Sequence, residues 1–404
     1  MKILFYTQYF SPETNAPANR LGDMAKFLSG RHSVSVLTGF PNHPLGKMFL
    51  GYKNGFLKKE MIGNISVFRS FMVIPKKLNS KIYRYLNYLS FAFSSFINLF
   101  RLEKPDLIIV SSPPISVLVM GFFYAKIRKV PMIIDLRDLW PEAAISLKVI
   151  SKGVITTLLE KLVFKSYRYA KKILINTEGF EDILTEGYKV NSEKIIYLPN
   201  GFNIEENLDI KSETNLKNPG SCFKVFYSGL FGWAQNVELI VKTAQVAFNL
   251  NSNIQFVLIG DGALKDKLKS LIKEYGLNNI SIIDYQEKKN LFKIIRDCDL
   301  GLITYEINDT FRKNIPSKMF DYMFLEKPVL INLKGEASGI IEKGGFGFCL
   351  ETNNPVEFFN KINNVSKEPG ETKGLGKNGF EYLENNFNKK DLLKKLENAI
   401  GIDF

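Results

Sequence analysis

The sequence predicts an α/β protein made of two Rossmann-like, doubly wound domains that face each other across an interdomain cleft. The chain has 404 residues, which is too long for one compact core. Short β-branched runs alternate with helical patterns along its whole length, as in parallel sheets covered by helices. A polar stretch at 199–221, rich in Asn, Glu and Gly, separates two such series and indicates a linker.

The predicted strands give each domain its own buried sheet. They are short, apolar and bounded by polar or glycine-containing loops. Because the loops that follow parallel strands meet at one edge of a sheet, we expect side chains with binding or catalytic chemistry there. The first half has predicted strands at 2–6, 33–37, 65–69, 107–110, 132–135, 172–176 and 194–197, and the second at 224–228, 254–259, 280–283, 300–304, 328–332 and 347–350.

The excess positive charge of the chain belongs to its first half. The formal net charge is +13. Residues 1–200 contain 28 Lys and Arg against 14 Asp and Glu, whereas residues 201–404 contain 26 against 27. This asymmetry indicates an anionic partner for one domain, either a nucleic acid or an anionic membrane.

The region 47–104 favours the membrane surface and argues against a nucleic acid. It mixes basic residues with a dense aromatic run, IYRYLNYLSFAFSSFINLF, at 82–100. Polar residues interrupt the run, so we expect it to lie on a membrane and not to cross it. A core helix packed under the sheet is the alternative for any single residue.

The three widely spaced cysteines show no disulfide pattern, as in proteins of a reducing compartment. We therefore predict a cytoplasmic protein attached peripherally to the inner face of the cell membrane.

Polar residues follow two of the predicted first-half strands. After the first strand comes QYFSPETNAPANR, with Glu13, Asn15 and Arg20. A Gly-x-Gly-x-x-Gly fingerprint is absent there, which disfavours an NAD enzyme. After the strand at 132–135 comes LRDLWPE, which brings Asp138 and Glu142 to a strand end. These five residues are candidates for contacting a sugar or a phosphate.

Glycine turns follow two of the predicted second-half strands. The loop GLFGWAQN contains Gly229, Gly232 and Gln235 and leads into a helix, so that it can present backbone amides to phosphate. The turn Gly260-Asp261-Gly262 allows a flat group to approach closely. Each turn alone is a common feature, but together they predict a binding site at one edge of the sheet.

The segment IPSKMFDYMFLEKPVLIN at 315–332 predicts a short helix that runs into a buried strand. Pro316 suits a helix start, and Ser317 is expected to cap the free amides there. Lys318 adds positive charge to an end that already attracts anions, and Asp321 can accept hydrogen bonds from hydroxyls. The combination suits a phosphorylated sugar or a nucleotide, although an ordinary capped helix is equally compatible with it.

The order of these motifs resembles that of the retaining glycosyltransferases of the GT-B fold, specifically family four. The likeness covers nearly the whole chain. The pairing of FPNHPLGKMFLGY with DLRDLWPE looks like a branch that includes transferases of N-acetyl-L-fucosamine in O-antigen and capsule assembly. The matching segments are MKILFYTQYFSPETNAPANR, IIYLPNGFN, FYSGLFGWAQNVELIVKTA, FVLIGDGALKDKLK and IPSKMFDYMFLEKPVLIN.

The resemblance implies that one domain binds the acceptor and the other binds the donor. Residues 1–198 with 378–404 would form the N-terminal, membrane-facing domain that binds the acceptor. Residues 199–377 would form the C-terminal domain that binds the nucleotide-sugar donor. Asp321 would hold the ribose hydroxyls of the donor, and Ser317 and Lys318 would meet its diphosphate. The remaining donor contacts are expected from Gly229, Gly232, Gln235, Gly260, Asp261 and Gly262.

The sequence departs from the family pattern in two places. The family commonly has a glutamate eight positions before the acidic residue at 321, where this chain has Lys313. The usual Arg and Lys that grip the diphosphate are missing, with Leu230 and Gln235 near their places. We expect Arg312, Lys313 and Lys318 to replace the lost positive charge.

The implied reaction is a front-side substitution with retention, without a covalent enzyme intermediate, a metal or a cofactor. Lys318 would stabilise the departing diphosphate, and Asp138 would orient the reacting sugar, with Asp135 and Glu142 less favoured. An ion pair with Arg137 or another neighbour is the structural alternative for Asp138. Asp297-Cys-Asp299 spells a metal-binding motif of other sugar transferases, but it lies between a helix end and a buried strand, so no metal site is predicted. Glu13, Asn15, Arg20 and Glu142 are the candidate acceptor-binding residues.

The expected donor is a UDP-sugar, and the expected acceptor is a sugar linked to undecaprenyl diphosphate. An anionic membrane surface bound through residues 47–104 would bring the enzyme to such a lipid. The alternatives are a sugar-nucleotide epimerase of the same two-domain shape and a non-catalytic protein that binds the membrane surface. The near absence of histidine, two residues in the chain, argues against the epimerase.

Overall fold

The computed structural model describes residues 1–43, 46–74, 81–140, 153–211 and 222–401. The chain forms two compact units, each with its own sheet. The first unit comprises Met1–Pro199 together with Leu393–Phe404, and the second comprises Asn200–Leu392. None of the described helices is long and apolar enough to cross a membrane.

The first unit contains an eight-stranded sheet in the order β3-β4-β2-β1-β5-β6-β7-β8. All neighbouring pairs are parallel except β3 with β4. Chain order reverses between β1 and β5, which places a crevice beyond the carboxyl ends of these two strands. The strands are β1 (Lys2–Tyr6), β2 (Ser33–Gly39), β3 (Leu57–Ile62), β4 (Ile65–Ser70), β5 (Leu107–Ser112), β6 (Met132–Leu136), β7 (Lys172–Ile175) and β8 (Ile195–Tyr197).

The sequence prediction missed β3, an antiparallel edge strand of sequence LKKEMI. Two adjacent lysines interrupt its apolar pattern, and an edge strand needs only one partner and no fully apolar face. By contrast, β5 is buried along its whole length and its first four residues, LIIV, are a continuous apolar run, which is why the sequence identified it.

The helices of the first unit join its parallel strands. Helix α3 packs between α2 and α4. The Tyr169 hydroxyl donates to the carbonyl of Ala125, which ties α4 to α3. The helices are α1 (Ala16–Leu28), α2 (Lys81–Leu99), α3 (Ile115–Arg128), α4 (Val154–Tyr169) and the short α5 (Phe180–Asp182).

The second unit contains a fully parallel six-stranded sheet in the order β11-β10-β9-β12-β13-β14. Chain order reverses between β9 and β12, so the ligand crevice of this sheet is expected at their carboxyl ends. The strands are β9 (Phe223–Leu230), β10 (Ile254–Asp261), β11 (Ile280–Ile283), β12 (Leu300–Ile303), β13 (Val329–Ile331) and β14 (Gly347–Cys349).

The helices of the second unit include the short one predicted at 315–332, which the structure places at Ser317–Phe324. The last helix, α15, begins in the second unit and ends in the first. The helices are α6 (Leu208–Lys211), α7 (Val237–Asn249), α8 (Lys265–Glu274), α9 (Lys288–Arg296), α10 (Asp309–Arg312), α11 (Ser317–Phe324), α12 (Glu336–Gly344), α13 (Pro355–Ser366), α14 (Pro369–Phe387) and α15 (Lys389–Gly401).

Candidate active site

The carboxyl ends of β9 and β10 approach each other closely at two glycines. Gly260 has φ +153°, a conformation that side-chain-bearing residues rarely adopt. A Cβ atom at Gly260 would lie 1.8 Å from the carbonyl oxygen of Gly229. The predicted glycine turns therefore lie side by side, next to the β9–β12 switch point, and glycine is required for their close approach.

Lys318 lies against this glycine turn. A Cβ atom at Gly229 would be 3.0 Å from Lys318 Nζ, and Nζ lies 3.5 Å from the ring centroid of Tyr227 on β9. The residue as a whole is only half-buried, but its ammonium is enclosed by protein, and this desolvation lowers the pKa of Lys318 well below its usual value. An anion bound beside the ammonium would favour its charged form.

The start of α11 differs from the sequence prediction. Pro316, not Ser317, occupies the N-cap position, and no side chain caps this end. Ser317 is the first helical residue and is exposed. The prediction that Ser317 caps the helix is therefore wrong. A proline at the N-cap cannot accept a hydrogen bond through its side chain, so no side-chain cap competes with an anion for the start of α11, although the Met319 N–H donates to the Pro316 carbonyl (3.1 Å).

Tyr322 connects α11 to β9. Its hydroxyl accepts a hydrogen bond from the backbone N–H of Ser228 (3.0 Å) and lies 3.1 Å from the Ser228 hydroxyl. Its ring contacts that of Phe226 edge-on, with centroids 4.6 Å apart, and covers Gly301 of β12. Sequence reasoning missed Tyr322, since a tyrosine in an apolar helix face looks like ordinary core. Its contacts fix the position of Lys318 one turn earlier.

Asp321 pairs with a residue that sequence reasoning also missed. Lys288 Nζ, in the first turn of α9, lies 3.7 Å from Asp321 Oδ1. The Asp321 side chain is 22% exposed. Burial raises the pKa of Asp321 to about 6, although the neighbouring Lys288 lowers it. An exposed lysine beginning a helix gives no sequence signal for such a role.

The loop between β9 and α7 is held by the segment that follows β12. The Thr304 hydroxyl donates to the carbonyl of Gln235 (2.7 Å), and the Glu306 N–H donates to the carbonyl of Ala234 (3.0 Å). The amide oxygen of Gln235 folds back over Gly232, where a Cβ atom would meet it at 2.5 Å. Gly232 and Gln235 thus shape the loop through their backbone and through contacts with each other.

Asp261 and Gly262 complete the turn after β10. Asp261 Oδ1 accepts from the Gly262 N–H (2.8 Å) and lies 3.3 Å from Lys265 Nζ. The Gly262 hydrogen bond, followed by Lys265, lowers the pKa of Asp261. A Cβ atom at Gly262 would lie 2.5 Å from the carbonyl oxygen of Phe231. The Asp261 carboxylate is thus already bound by Gly262 and Lys265, which follow it in the chain.

The three basic residues expected to replace the lost family charges occupy different environments. Arg312 pairs with Glu351 and donates to the carbonyl of Lys334 (3.0 Å). Lys313 is exposed after α10. Of the three, Lys318 is the one with its ammonium at Gly229.

In the first unit, Arg20 and Asp135 form a buried ion pair. Arg20 Nε lies 2.9 Å from Asp135 Oδ1, and their side chains are 6% and 0% exposed. Asn15 is the N-cap of α1, with its side-chain oxygen accepting from the Ala18 N–H (2.9 Å). Arg20 and Asn15, which the sequence predicts as acceptor-binding residues, are therefore both engaged in structural contacts.

Glu13 anchors the loop after β2. Its Oε1 accepts from the backbone N–H groups of Asn42 and His43, both at 2.9 Å. Burial raises the pKa of Glu13, and the two amides lower it. Glu13 also borders a groove of about 660 Å³ between α1 and the β3–β4 turn, which is wide enough for a sugar-sized group.

Asp138 is exposed in the loop after β6. Protein packed near its carboxyl raises its pKa, whereas Arg137 lowers it. Arg137 Nε donates a hydrogen bond to Ser111 Oγ (3.2 Å). The same Arg137 Nε lies 3.8 Å from Asp135 Oδ2. Glu142, the other predicted residue of this loop, lies outside the described residues.

The Asp297-Cys-Asp299 motif is structural. Asp299 accepts a hydrogen bond from the backbone N–H of Lys224 (2.9 Å) and donates its own N–H to the Lys224 carbonyl (2.7 Å). Within the described ranges, no group of three or more His, Cys, Asp or Glu side chains could hold a metal ion.

Both halves of the chain match known families. Residues 18–206 match the family described as Glycosyltransferase Family 4, and residues 210–382 match Glycosyl transferases group 1. A curated relative, the putative colanic acid biosynthesis glycosyl transferase WcaI of Escherichia coli K12, is 24% identical over 422 residues, covering 99% of this chain and 100% of the relative.

Solved structures of glycosyltransferases share the fold. HepE of Anabaena in complex with UDP superposes with a TM-score of 0.68 at 16% identity, covering 99% of both chains. WaaG, a glycosyltransferase involved in lipopolysaccharide biosynthesis, superposes with a TM-score of 0.65 at 12% identity, covering all of both chains. These likenesses confirm the predicted GT-B fold.

Proposed function

With each half matched by a glycosyltransferase family, the chain is a glycosyltransferase of the GT-B fold, and we propose that it transfers a sugar from a nucleoside diphosphate to a lipid-linked acceptor. The donor would bind at the carboxyl ends of β9 and β10 and the start of α11. One observation carries this proposal: the Lys318 ammonium lies beside the glycine turn at the switch point, where an anionic ligand is expected.

The donor diphosphate suits this arrangement. Backbone amides of a glycine turn and of a helix start bind phosphate oxygens without a charged side chain. Lys318 adds one positive charge, which stabilises the negative charge that develops on the leaving diphosphate. Asp321, one turn further along α11, is proposed to accept hydrogen bonds from the ribose hydroxyls.

The proposed reaction is a front-side substitution with retention and without a metal ion. The acceptor oxygen forms a bond to the anomeric carbon while the bond from that carbon to the diphosphate breaks. The acceptor proton passes to a phosphate oxygen of the leaving group. Asp138 is proposed to orient the reacting sugar, and Glu13 and its groove are proposed to contact the acceptor.

The donor proposed in detail is a UDP-sugar, with N-acetyl-L-fucosamine or a related deoxy-amino sugar as the group transferred. The acceptor is a sugar on undecaprenyl diphosphate, in the assembly of O-antigen or capsular polysaccharide. Support for a polysaccharide pathway comes from the colanic acid relative, and support for uridine comes from the UDP in the HepE structure.

A lipid-linked acceptor requires the enzyme to work at a membrane surface, and we place the contact within residues 47–104. The described residues of α2 that are exposed are all apolar: Tyr85, Leu86, Leu89, Phe93 and Ile97. Four of them recur every four residues and form one stripe along the helix. Such a stripe on a water-exposed helix is typical of a binding surface.

Helix α3 continues this surface. Phe123 and Ile127, one turn apart, are 37% and 60% exposed, and α3 packs directly beside α2. By sequence, α2, α3 and α4 contain seven Lys and Arg against the single acidic residue Glu160. Basic charge around an apolar stripe complements an anionic lipid surface and would repel a second copy of the chain.

Vesicle binding tests the membrane surface. Phe93→Ser should weaken binding to phosphatidylglycerol vesicles by about tenfold, because a large apolar side chain loses its contact with lipid. Leu250→Ser is the matched control, since Leu250 is 63% exposed and Phe93 is 62% exposed, but Leu250 lies in the second unit. Equal loss in both variants, or dimerisation that depends on Phe93, would contradict the proposal.

Product analysis tests the transferase proposal. Radiolabelled UDP- and GDP-sugars would be incubated with membrane lipid extract and EDTA, and the organic phase would be examined for labelled lipid. We expect label from a UDP-sugar, with the anomeric configuration of the donor preserved in the product. Conversion of the free nucleotide sugar without lipid label would favour the epimerase, and nucleotide binding without either product would favour the non-catalytic protein.

A further inference from the structure

Lys288 stands beside the residue on which ribose recognition is proposed to depend. Its Nζ lies 3.7 Å from Asp321 Oδ1. It also lies 4.3 Å from the ring centroid of Phe202 and 5.2 Å from that of Phe292. Three separate contacts, to a carboxylate and two aromatic rings, hold the ammonium in one place although the side chain is 49% exposed.

We propose that Lys288 is a positioning residue that keeps the Asp321 carboxylate ionised and oriented for the ribose hydroxyls of the nucleotide-sugar donor. The inference rests on the proposed function, because it assumes that Asp321 binds the ribose. It adds a residue from a different helix, one that no motif of the sequence indicated. Lys288 is not proposed to touch the reacting atoms.

Recognition of the ribose hydroxyls requires an ionised Asp321 carboxylate, and Lys288 favours that ionised form. Two ribose hydroxyls can both donate to an ionised carboxylate, whereas a protonated carboxyl has lost part of its acceptor capacity. Burial favours the protonated form of Asp321, with a pKa of about 6, and Lys288 is the neighbouring group that opposes it. Without Lys288, a larger fraction of Asp321 would be protonated near neutral pH.

The charged groups around the pair come from three elements. Burial lowers the pKa of Lys288, and Lys389 at the start of α15 lowers it too. Asp321 raises it, and so does Glu206, which precedes α6. On α11, Tyr322 follows Asp321, and the Asp321 charge contributes to the raised pKa of that phenol. Lys288 is therefore the cation that links α9 to the donor side of α11.

The test measures UDP and GDP binding at pH 6.5 and pH 8.5 for the full chain and three variants. Lys288→Met should weaken binding of the preferred nucleotide by about threefold at pH 6.5, because a rise of about one unit in the pKa of Asp321, from about 6, lowers its ionised fraction from about three quarters to about one quarter. At pH 8.5 the loss should fall below about twofold, because Asp321 is then ionised in both proteins. Lys288→Arg should retain most of the affinity.

Lys289→Met is the matched control, since Lys289 is the next residue of the same helix and is exposed. An equal loss for Lys288→Met at both pH values, or failure of Lys288→Arg to rescue, would overturn the inference while leaving the proposed function intact. Binding of neither nucleotide by the unmodified protein would overturn both. In steady-state assays, Lys288→Met should raise the donor KM and leave kcat unchanged.

Discussion

The ammonium of Lys318 lies 3.5 Å from the centre of the Tyr227 ring, so that a lysine from α11 reaches across to the end of β9. Its pKa is well below the usual value because the protein packed around the ammonium desolvates it. A diphosphate beside it would restore the charged form. We therefore predict that donor binding takes up protons.

Calorimetry in buffers of different ionisation enthalpy, repeated between pH 7 and pH 10, measures this uptake. Lys318→Met should abolish it and weaken nucleotide binding, whereas Lys289→Met should preserve it. Binding without proton uptake by the unmodified protein would show that Lys318 is already charged or that the diphosphate lies elsewhere.

Asp321 should stabilise the fold less when ionised than when protonated. Its pKa is about 6 in the folded protein, against about 4 in an unfolded chain. The folded state therefore holds the proton more tightly, and stability is lost as the pH rises from about 4 to about 6. Asp321→Asn should thus be more stable than the unmodified protein at pH 8, by about 1–2 kcal/mol.

Urea unfolding at pH 8 and pH 4 measures this difference, which should vanish at pH 4. The Asn variant should also bind nucleotide poorly, because its amide offers one acceptor group where the carboxylate offers two. An Asn variant less stable than the unmodified protein at pH 8 would show that the Lys288 pair outweighs the cost of burial.

Gly260→Ala should disturb the glycine turns of the proposed donor site. The added methyl group would collide with the Gly229 carbonyl, and alanine would be strained at φ +153°. Gly276→Ala is the matched control, because Gly276 also has positive φ (+62°) but has open space around it. We expect Gly260→Ala to lose about 2 kcal/mol more stability than the control, together with nucleotide affinity. Equal losses in the two variants would mean that the close contact between Gly260 and the Gly229 carbonyl does not contribute to the free energy of unfolding.

Arg20→Met should destabilise the first unit. It leaves the fully buried Asp135 carboxylate with Arg137 at 3.8 Å as a weaker neighbour. The expected loss is about 3 kcal/mol in urea unfolding, and the double variant Arg20→Met/Asp135→Leu should recover part of it. If Arg20→Met keeps its stability but loses acceptor turnover, the residue acts as the acceptor contact that the sequence suggested.

The fold was accessible from the sequence because its strands are continuous apolar runs separated by polar loops. The strand β1 coincides with its predicted range, 2–6, and β11 coincides with 280–283. The edge strand β3 was missed because its lysines interrupt the apolar pattern. Strand identity in a buried parallel sheet is a local property of the chain, whereas an edge strand depends on the partner beside it.

The proposed donor site could be predicted from the sequence only in part. Pro316 at the N-cap, together with Lys318 and Asp321 of α11, indicated a site for an anion and hydroxyl groups because helix starts attract anions. Lys288 and Tyr322 gave no such signal, since their importance comes from contacts 33 and 94 residues away along the chain, with Asp321 and Ser228. Ser317 matched a capping pattern, but Pro316 occupies the N-cap.

The most direct test of the account compares sugar transfer to membrane lipid by the unmodified enzyme, Asp321→Ala and Lys318→Ala, with Lys289→Met as the control. We predict that both alanine variants lose lipid-linked product by about a hundredfold or more, because each removes a charged contact to the donor, while the control retains its rate. Transfer by Lys318→Ala and Asp321→Ala at the rate of the control would contradict the placement of the donor at the end of β9 and the start of α11.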